Sequence, residues 1–317
     1  MAQATGSQSA YDHRVGVGGN KEDLSDMVWD VSPADTPFIS AIGKGKAKGV
    51  VHNWLTDSLT TGAGTYVVEG SEGTPAAASP RTNLMNTTGI FQKYATVRGT
   101  QEAVDKAGVK NEMAYQVPRR MKEIKTNIET ACVGTDNAYV TGWNDTTARE
   151  IASLSTYCTG TAGDEFAAAT SANPAGTGAD VPTKTGTDRE MTEAVFKSCL
   201  ENLYTKSGGS ENIIAFATPA MKSKISSYTA SSSRYVTTDD KKLVASIDVY
   251  DGDFSTVKVV PDRFVQASSV FLVDPKYIKL AELRPMFAKE IETAGDASRR
   301  QVVWEGTLEV CDPLSSW

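Results

Sequence analysis

Residues 247–312, IDVYDGDFSTVKVVPDRFVQASSVFLVDPKYIKLAELRPMFAKEIETAGDASRRQVVWEGTLEVCD, read as strand after strand with almost no catalytic chemistry among them. The last piece alternates with period two: Val302, Trp304, Gly306, Leu308 and Val310 point one way, and Val303, Glu305, Thr307 and Glu309 the other. This pattern predicts a long, half-solvated strand. Arg284 to Glu292 supplies a hairpin partner across Gly295 and Asp296, whose residue types suit a turn. A long terminal hairpin of mixed charge makes a contact surface more naturally than the wall of a reactive pocket.

Working upstream, Asp251 and Gly252 fit a tight hairpin turn between IDVY and FSTVKVV. Asn212 to Ala217 is a short apolar strand, after which Thr218 and Pro219 suit the cap and first position of a helix. Before it, Thr187 and Glu190 make a capping box, Met191, Val195, Cys199 and Leu203 form one helical stripe, and Gly208 and Gly209 supply the stop. The second half of the chain is therefore expected to be α+β without a repeated βαβ unit.

The strongest helical signal lies within residues 101–133. Met113, Val117, Met121, Ile124, Ile128 and Cys132 step by three or four, while Arg120, Lys122, Glu123, Asn127 and Glu129 fall outside that stripe. Lys125 and Glu129 are spaced for an i,i+4 ion pair. Pro118 sits inside the pattern, removes one helical hydrogen bond and predicts a kink or a break.

Residues 50–97 carry strand formers at both ends, VVHNWLTDSL and GIFQKYATV, around a middle rich in Gly, Thr, Ala and Pro. One long projecting two-stranded loop is expected, and because an isolated hairpin is only marginally stable it needs another surface to rest on. The first fifty residues hold few regular signals. Pro33 and Pro37 keep the chain extended before the apolar stretch Phe38 to Ile42, which reads either as an arm lying on something or as a loosely packed leader. Residues 159–187 are low in complexity, poor in large apolar side chains and mobile if left alone.

Composition narrows the function. The 317 residues suffice for two domains or one elaborated fold, and 40% hydrophobic with 22% charged residues is ordinary for a globular protein. A net charge of −7 gives no global field toward nucleic acid, and no basic cluster is interleaved with aromatics. No charged-then-apolar leader and no membrane-length apolar run occurs, so synthesis in the cytosol is expected. Cys132, Cys158, Cys199 and Cys311 form no C-x-x-C pair and are expected to be reduced and mostly structural.

Catalytic signatures are lacking. The glycine-rich runs GVGGNK at Gly16 and GKGKAKG at Gly43 match neither phosphate-binding pattern, and G-x-S-x-G is absent. His13 and His52 are the only histidines, and neither has ligand-spaced partners. Asp251 and Asp253 suit a turn better than a calcium loop. No enzyme activity, cofactor or metal is expected. Arg119, Arg120, Lys122 and Lys125 concentrate positive charge on the long helix, facing either packaged nucleic acid or solvent, and Asp239 to Lys242 form a charge cluster that either bridges subunits or lies in a solvated loop.

NKEDLSDMVWDVSPADTPFISAIGKGKA (20–47), GTQEAVDKAGVKNEMAYQ (99–116), RYVTTDDKKLVASIDVYDGDF (234–254), VVPDRF (259–264) and LRPMFAKEIETAGDASRRQVVWEGTLEV (283–310) resemble, in order, the major capsid proteins of tailed bacteriophages, in the SU-type subgroup with the Hong Kong phage shell fold. The resemblance spans nearly the whole chain apart from residues 159–187. It implies an α+β subunit with an N-terminal arm (1–50), an extended loop (51–97), a peripheral domain with a spine helix (98–187), an axial domain (188–283) and return strands of the peripheral domain (284–317). It further implies self-assembly into hexamers and pentamers of an icosahedral shell around double-stranded DNA, made in the host cytoplasm and ending in the virion. A separate scaffolding protein, a portal and a decoration protein are the partners that follow, with no membrane.

Candidate assembly contacts within these segments are Phe38, Trp54, Asp57, Arg81, Asp240, Lys241, Arg284, Arg299 and Trp304, with Pro118 as a bend in the spine helix. No Lys–Asn cross-linking pair is assigned. A cellular nanocompartment shell of the same fold and a phage surface adhesin are the alternatives; packaged cargo and particle shape distinguish them.

Overall fold

The computed structural model describes residues 32–57, 66, 68–70, 72, 81–106, 108–158, 176–181, 190–206, 212–228, 249–267 and 269–313. In chain order the elements are α1 (Pro37–Ala41), β1 (Gly43–Lys46), β2 (Val51–Thr56), β3 (Thr82–Thr87), β4 (Gly89–Arg98), α2 (Gly99–Ala103) and α3 (Glu112–Glu129). They continue as α4 (Glu193–Lys206), β5 (Asn212–Ala217), α5 (Pro219–Tyr228), β6 (Val249–Asp251), β7 (Thr256–Pro261), β8 (Val270–Val273), β9 (Ile278–Ile291) and β10 (Ala297–Val310).

Three sheets result: β1-β9-β10-β4, the pair β2-β3, and β6-β7-β5-β8. The terminal hairpin forms as its alternation predicts, with two 14-residue strands, each roughly 45 Å long at the usual rise per residue. Its partner strand begins at Ile278, earlier than the Arg284 start read from the sequence. Pairing slips twice, between Val303 and Glu305 and between Glu305 and Gly306, and the extra residues fall on β9 around Pro285. Such bulges bend a strand and tolerate a proline that cannot donate to the ladder.

The half-solvated reading of β10 holds only for its first turn-proximal residues. From Val302 to Leu308 both faces are buried, because β4 and β9 flank the strand, α3 covers one face, and Asn86, Thr88 and Arg149 reach the other. A second correction concerns the projecting hairpin. VHNWLT pairs with Thr82–Thr87, whereas GIFQKYATVR leaves the hairpin and pairs with β10 from Arg98↔Ala297 to Gly89↔Gly306.

The helical stripe of α3 is as read: Met113, Val117, Ile124 and Ile128 are buried, and Cys132 follows them on a π turn at Thr130–Gly134. Asn111 caps the helix by accepting from the Ala114 amide at 2.7 Å. The helical signal upstream of it resolves into the separate short α2, with Gly108 at φ 80° in the connection. Of the kink or break expected at Pro118, the break does not occur: α3 runs through it, since packing of its stripe against β4 and β10 outweighs one missing hydrogen bond.

In the second half, β5 and β7 are parallel across α5, while β8 and β6 complete the sheet antiparallel. Alternation on β5 serves two cores. Ile213, Ala215 and Ala217 face Phe196, Leu200, Leu203 and Ile225 of the helices, and Phe216 faces Ile124, Trp304 and the rest of the larger core. Helix α4 starts at Glu193, with Thr192 Oγ accepting from Val195 N at 3.4 Å; Thr187 and the Gly208–Gly209 stop lie outside the described residues. Its buried face is centred on Phe196, Leu200 and Leu203, one position from the predicted stripe, leaving Met191 and Cys199 at the margin. The β6–β7 turn runs over Gly252 to Ser255 and is closed by Gly252 N to Ser255 O at 3.2 Å.

Trp304 is 1% exposed and its indole N–H donates to Glu282 at 3.0 Å. Trp304→Ala is expected to cost about 3–5 kcal/mol of unfolding free energy in urea titrations, from the lost burial and the cavity left behind.

Candidate assembly interfaces

The β2–β3 pair projects, and its root is fixed by side chains from distant segments. His52 Nε2 meets Glu309 Oε2 at 3.0 Å, Trp54 Nε1 donates to the Val310 carbonyl at 2.8 Å, and Tyr157 Oη donates to the Met85 carbonyl at 2.9 Å. Asn86, fully buried, donates to the Leu308 carbonyl at 2.8 Å and accepts from Ala152 N at 2.9 Å. Burial alone raises the Glu309 carboxyl, but hydrogen bonds from His52 and Cys311 and the charge of Lys279 hold it below its ordinary value. Burial, with the adjacent Glu309, pushes the Cys311 thiol up to about 11, so it is protonated at neutral pH and not a reactive thiolate.

Outward from this root the described apolar side chains have little cover. Leu55 is 63% exposed and Val68 80%. Asp57 and Arg81 pair at 3.5 Å across it, both largely solvated, an arrangement that contributes little to stability.

A second apolar patch lies on the outer face of the large sheet. Ile90, Tyr94 and Phe287 are all exposed there, and the strand register places them around buried Val303, which pairs with Gln92 on one side and Phe287 on the other. Just below it, Glu305 is 4% exposed and held by two arginines: Arg149 Nη2 donates to Oε1 at 2.8 Å and Arg284 Nε to Oε2 at 2.5 Å. The sequence pattern assigned Glu305 to a solvated face. The arginine pair is what allows its burial.

A third cluster ties the arm to the body. Phe38 is fully buried and stands edge-on to Phe216 with ring centroids 5.3 Å apart. Glu129 accepts from Phe38 N at 2.7 Å and Ile39 N at 2.9 Å, satisfying two free amides at the start of α1. It is fully buried beside Asp262 and makes no i,i+4 pair with Lys125, which corrects its assignment to the polar face.

The expected contact residues thus separate. Phe38 and Trp304 are enclosed within the subunit, Trp54 is half-buried in the hairpin root, and Arg284 braces Glu305 while keeping one side in solvent. Asp57, Arg81 and Arg299 are exposed, the last donating to Thr96 Oγ at 3.3 Å; Asp240 and Lys241 lie outside the described residues. Among the helix cations, Arg120 forks onto Glu123 at 2.7 and 2.8 Å, and Arg119 lies 5.8 Å from the Tyr115 ring. Lys122 and Lys125 face outward. Sequence reasoning missed Asn86 and Glu129, whose local spacing carries no signal because their hydrogen-bond partners lie 66 or more positions away, and Asp262, which is buried beside Glu129 of a different element.

Among the described residues no cluster of three or more potential metal ligands occurs, and no helix is long and apolar enough to cross a membrane.

This architecture matches solved phage capsid subunits. The capsid subunit of cyanophage A-1(L) superposes with a TM-score of 0.64 at 12% identity, covering 94% of this chain and 95% of that one. The capsid of the empty GTA particle gives 0.63 at 11% identity over 98% and 97%. A Phage G structure containing major capsid and decoration proteins gives 0.52 at 10% identity over 100% of this chain and 98% of that one. The fold is therefore that of the phage capsid subunits. By sequence, the SU10 major capsid protein family model matches residues 5–316, and the chain belongs to that family. The major capsid protein of Escherichia phage Phieco32 is 32% identical over 112 residues, a match that takes in 35% of this chain and 32% of that protein.

Removing the acid between the two arginines is expected to be costly. Glu305→Ala should lower unfolding free energy by about 2–3 kcal/mol, the range for losing charged hydrogen bonds at a buried site, in chemical denaturation. Glu305→Gln should recover part of it.

Proposed function

We propose that copies of this chain tile as hexamers and pentamers into the closed icosahedral head shell of a tailed bacteriophage, enclosing double-stranded DNA. Membership of the major capsid family along residues 5–316 carries this reading. The geometry supports it. A projecting hairpin with uncovered Leu55 and Val68, and a sheet face with uncovered Ile90, Tyr94 and Phe287, are unlike surfaces of one subunit. Unlike patches that meet between successive copies generate rings when the rotation closes, and many modest contacts sum to a durable container.

In this reading residues 1–50 are the arm and the hairpin beginning at Val51 the extended loop. Strand β4, α3 and the β9–β10 hairpin form the peripheral domain, and residues from about 188 to the start of β9 the axial domain. DNA is held without sequence recognition, with the outward Lys122 and Lys125 of α3 as candidate phosphate neighbours. A scaffolding protein encoded separately, a portal and a decoration protein complete the set of partners. The subunit is made in the host cytoplasm and resides in the virion.

Electron microscopy of the purified protein tests the proposal. Closed hollow particles with nucleic acid support it; particles filled with an enzyme cargo point to a nanocompartment, and isolated monomers or trimers that bind a surface ligand overturn it. Leu55→Asp, on the exposed hairpin edge, is expected to leave unfolding free energy within about 0.5 kcal/mol while reducing shell yield at least about tenfold. Pro118→Ala restores a helical hydrogen bond in α3 and is expected to alter shell expansion more than initial assembly; unchanged particle dimensions and maturation kinetics would count against a role for that position.

A further inference from the structure

A groove of about 420 Å³ runs between the end of β4, helix α2 and the N-terminal half of α3, within the size range of binding clefts. Ala95 and Val97 give it an apolar lining, and Arg98, Gln101, Gln116 and Arg120 add polar groups around them. Arg98 is exposed, and among the described residues no acid pairs with it. Arg120 donates Nη1 to both oxygens of Glu123, at 2.7 and 2.8 Å, which leaves its Nη2 without an acceptor among the described residues. The acids at the groove are already engaged: Glu112 accepts from Gln116 at 2.7 Å, and Glu123 is shared between Arg120 and Lys93, the latter at 3.5 Å. Positive charge is therefore in excess there.

The groove also adjoins an open strand edge. Strand β4 is the last of its sheet and pairs with β10 alone, so along Ala95 to Arg98 its outer edge presents backbone N–H and C=O groups. An extended segment added to such an edge gains main-chain hydrogen bonds, and the pocket beside it selects the side chains. What fits is an extended segment rich in carboxylates.

The chain carries one. Residues 22–35 hold five acids, Glu22, Asp23, Asp26, Asp30 and Asp35, and no base; the first four acids lie outside the described residues. In an extended chain Glu22, Asp26 and Asp30 share one face. Reach is sufficient. The arm is fixed where Glu129 accepts from Phe38 N and Ile39 N, and along α3 the distance from Glu129 to Arg120 and to Glu112 is about 14 and about 26 Å. Asp30 and Glu22 precede Phe38 by eight and sixteen residues, spans of up to about 27 and about 54 Å. The tether holds the segment at high local concentration beside this groove, which favours its own subunit over a second copy.

We propose that residues 22–30 turn back over their own subunit and occupy this groove as a strand on the free edge of β4, with their carboxylates on Arg98 and Arg120. The arm is then held at two places, by Glu129 at one end of α3 and by charge and strand pairing at the other. The contact lies within one chain, so its failure leaves the shell proposal standing, and the converse.

Residue-resolved hydrogen exchange in the full-length protein tests this. Neutralising the segment, with Glu22→Gln, Asp26→Asn and Asp30→Asn together, is expected to speed exchange at least about tenfold at the β4 amides that face the free edge. The β4 amides donated to β10 stay protected and report an intact sheet. Arg98→Glu is expected to act in the same way, and combining it with Asp26→Lys and Asp30→Lys to restore protection. Unchanged edge exchange after neutralisation, no recovery in the charge-reversed combination, or protection that rises with protein concentration, the mark of a second copy, overturns the proposal. Should the variants fail to fold, the unsubstituted protein decides. Raising NaCl from about 0.05 to about 1 M is expected to speed edge exchange at least about threefold by screening the ion pairs, and edge exchange that does not respond to salt overturns the proposal.

Discussion

Strand β10 constrains everything else in the subunit. Its backbone is paired on both edges, to β9 and β4, and from Val302 to Leu308 it has no free face. A strand enclosed in this way cannot slip in register without moving Trp304 from the core and Glu305 from its arginines. It also gathers the distant parts of the chain. The hairpin root hangs on the carbonyls of Leu308 and Val310 and the carboxyl of Glu309, and the 135–158 segment is tied through Arg149 to Glu305.

The same hairpin changes character along its length. Below the bulges near Pro285 it is core; above them β9 is exposed from Phe287 to Glu290, and the tip stands clear of both hydrophobic clusters. One element thus joins a rigid interior to a solvated extension. The β2–β3 pair repeats the arrangement, rooted by Asn86 and Trp54 and exposed at Leu55. For a protein whose proposed work is to meet copies of itself, this division is economical in parts: folding holds the roots, and the uncovered apolar side chains at the ends remain for neighbours.

Much of the fold was legible because it rests on periodicity. The stripe Met113, Val117, Ile124, Ile128 and the alternation of Val302, Trp304 and Leu308 identify an element and its inward face from a few adjacent residues. Thr218 before Pro219 and the turn at Gly295 were legible from local backbone chemistry. The pairing of GIFQKYATVR was not, since its strand pattern is equally compatible with VHNWLT and with β10; only burial of Ala95 and Val97 beneath α3 selects the latter. Contact residues were the least legible. Phe38 and Trp304 carry the large apolar surface that suits an interface, and that same surface suits the core they occupy.

The sequence by itself determined the α+β class, the terminal hairpin, the spine helix and, through distributed resemblance, the capsid family. Each of these is a property of local pattern or of residues compared position by position. Only the tertiary structure decided the roles of the buried polar groups. Glu129, Glu305 and Asn86 look like surface residues in sequence, and each is buried because its hydrogen-bond partners come from segments far along the chain or from a different element. A polar side chain is placed by whether partners converge on it, and convergence is a fact of three dimensions.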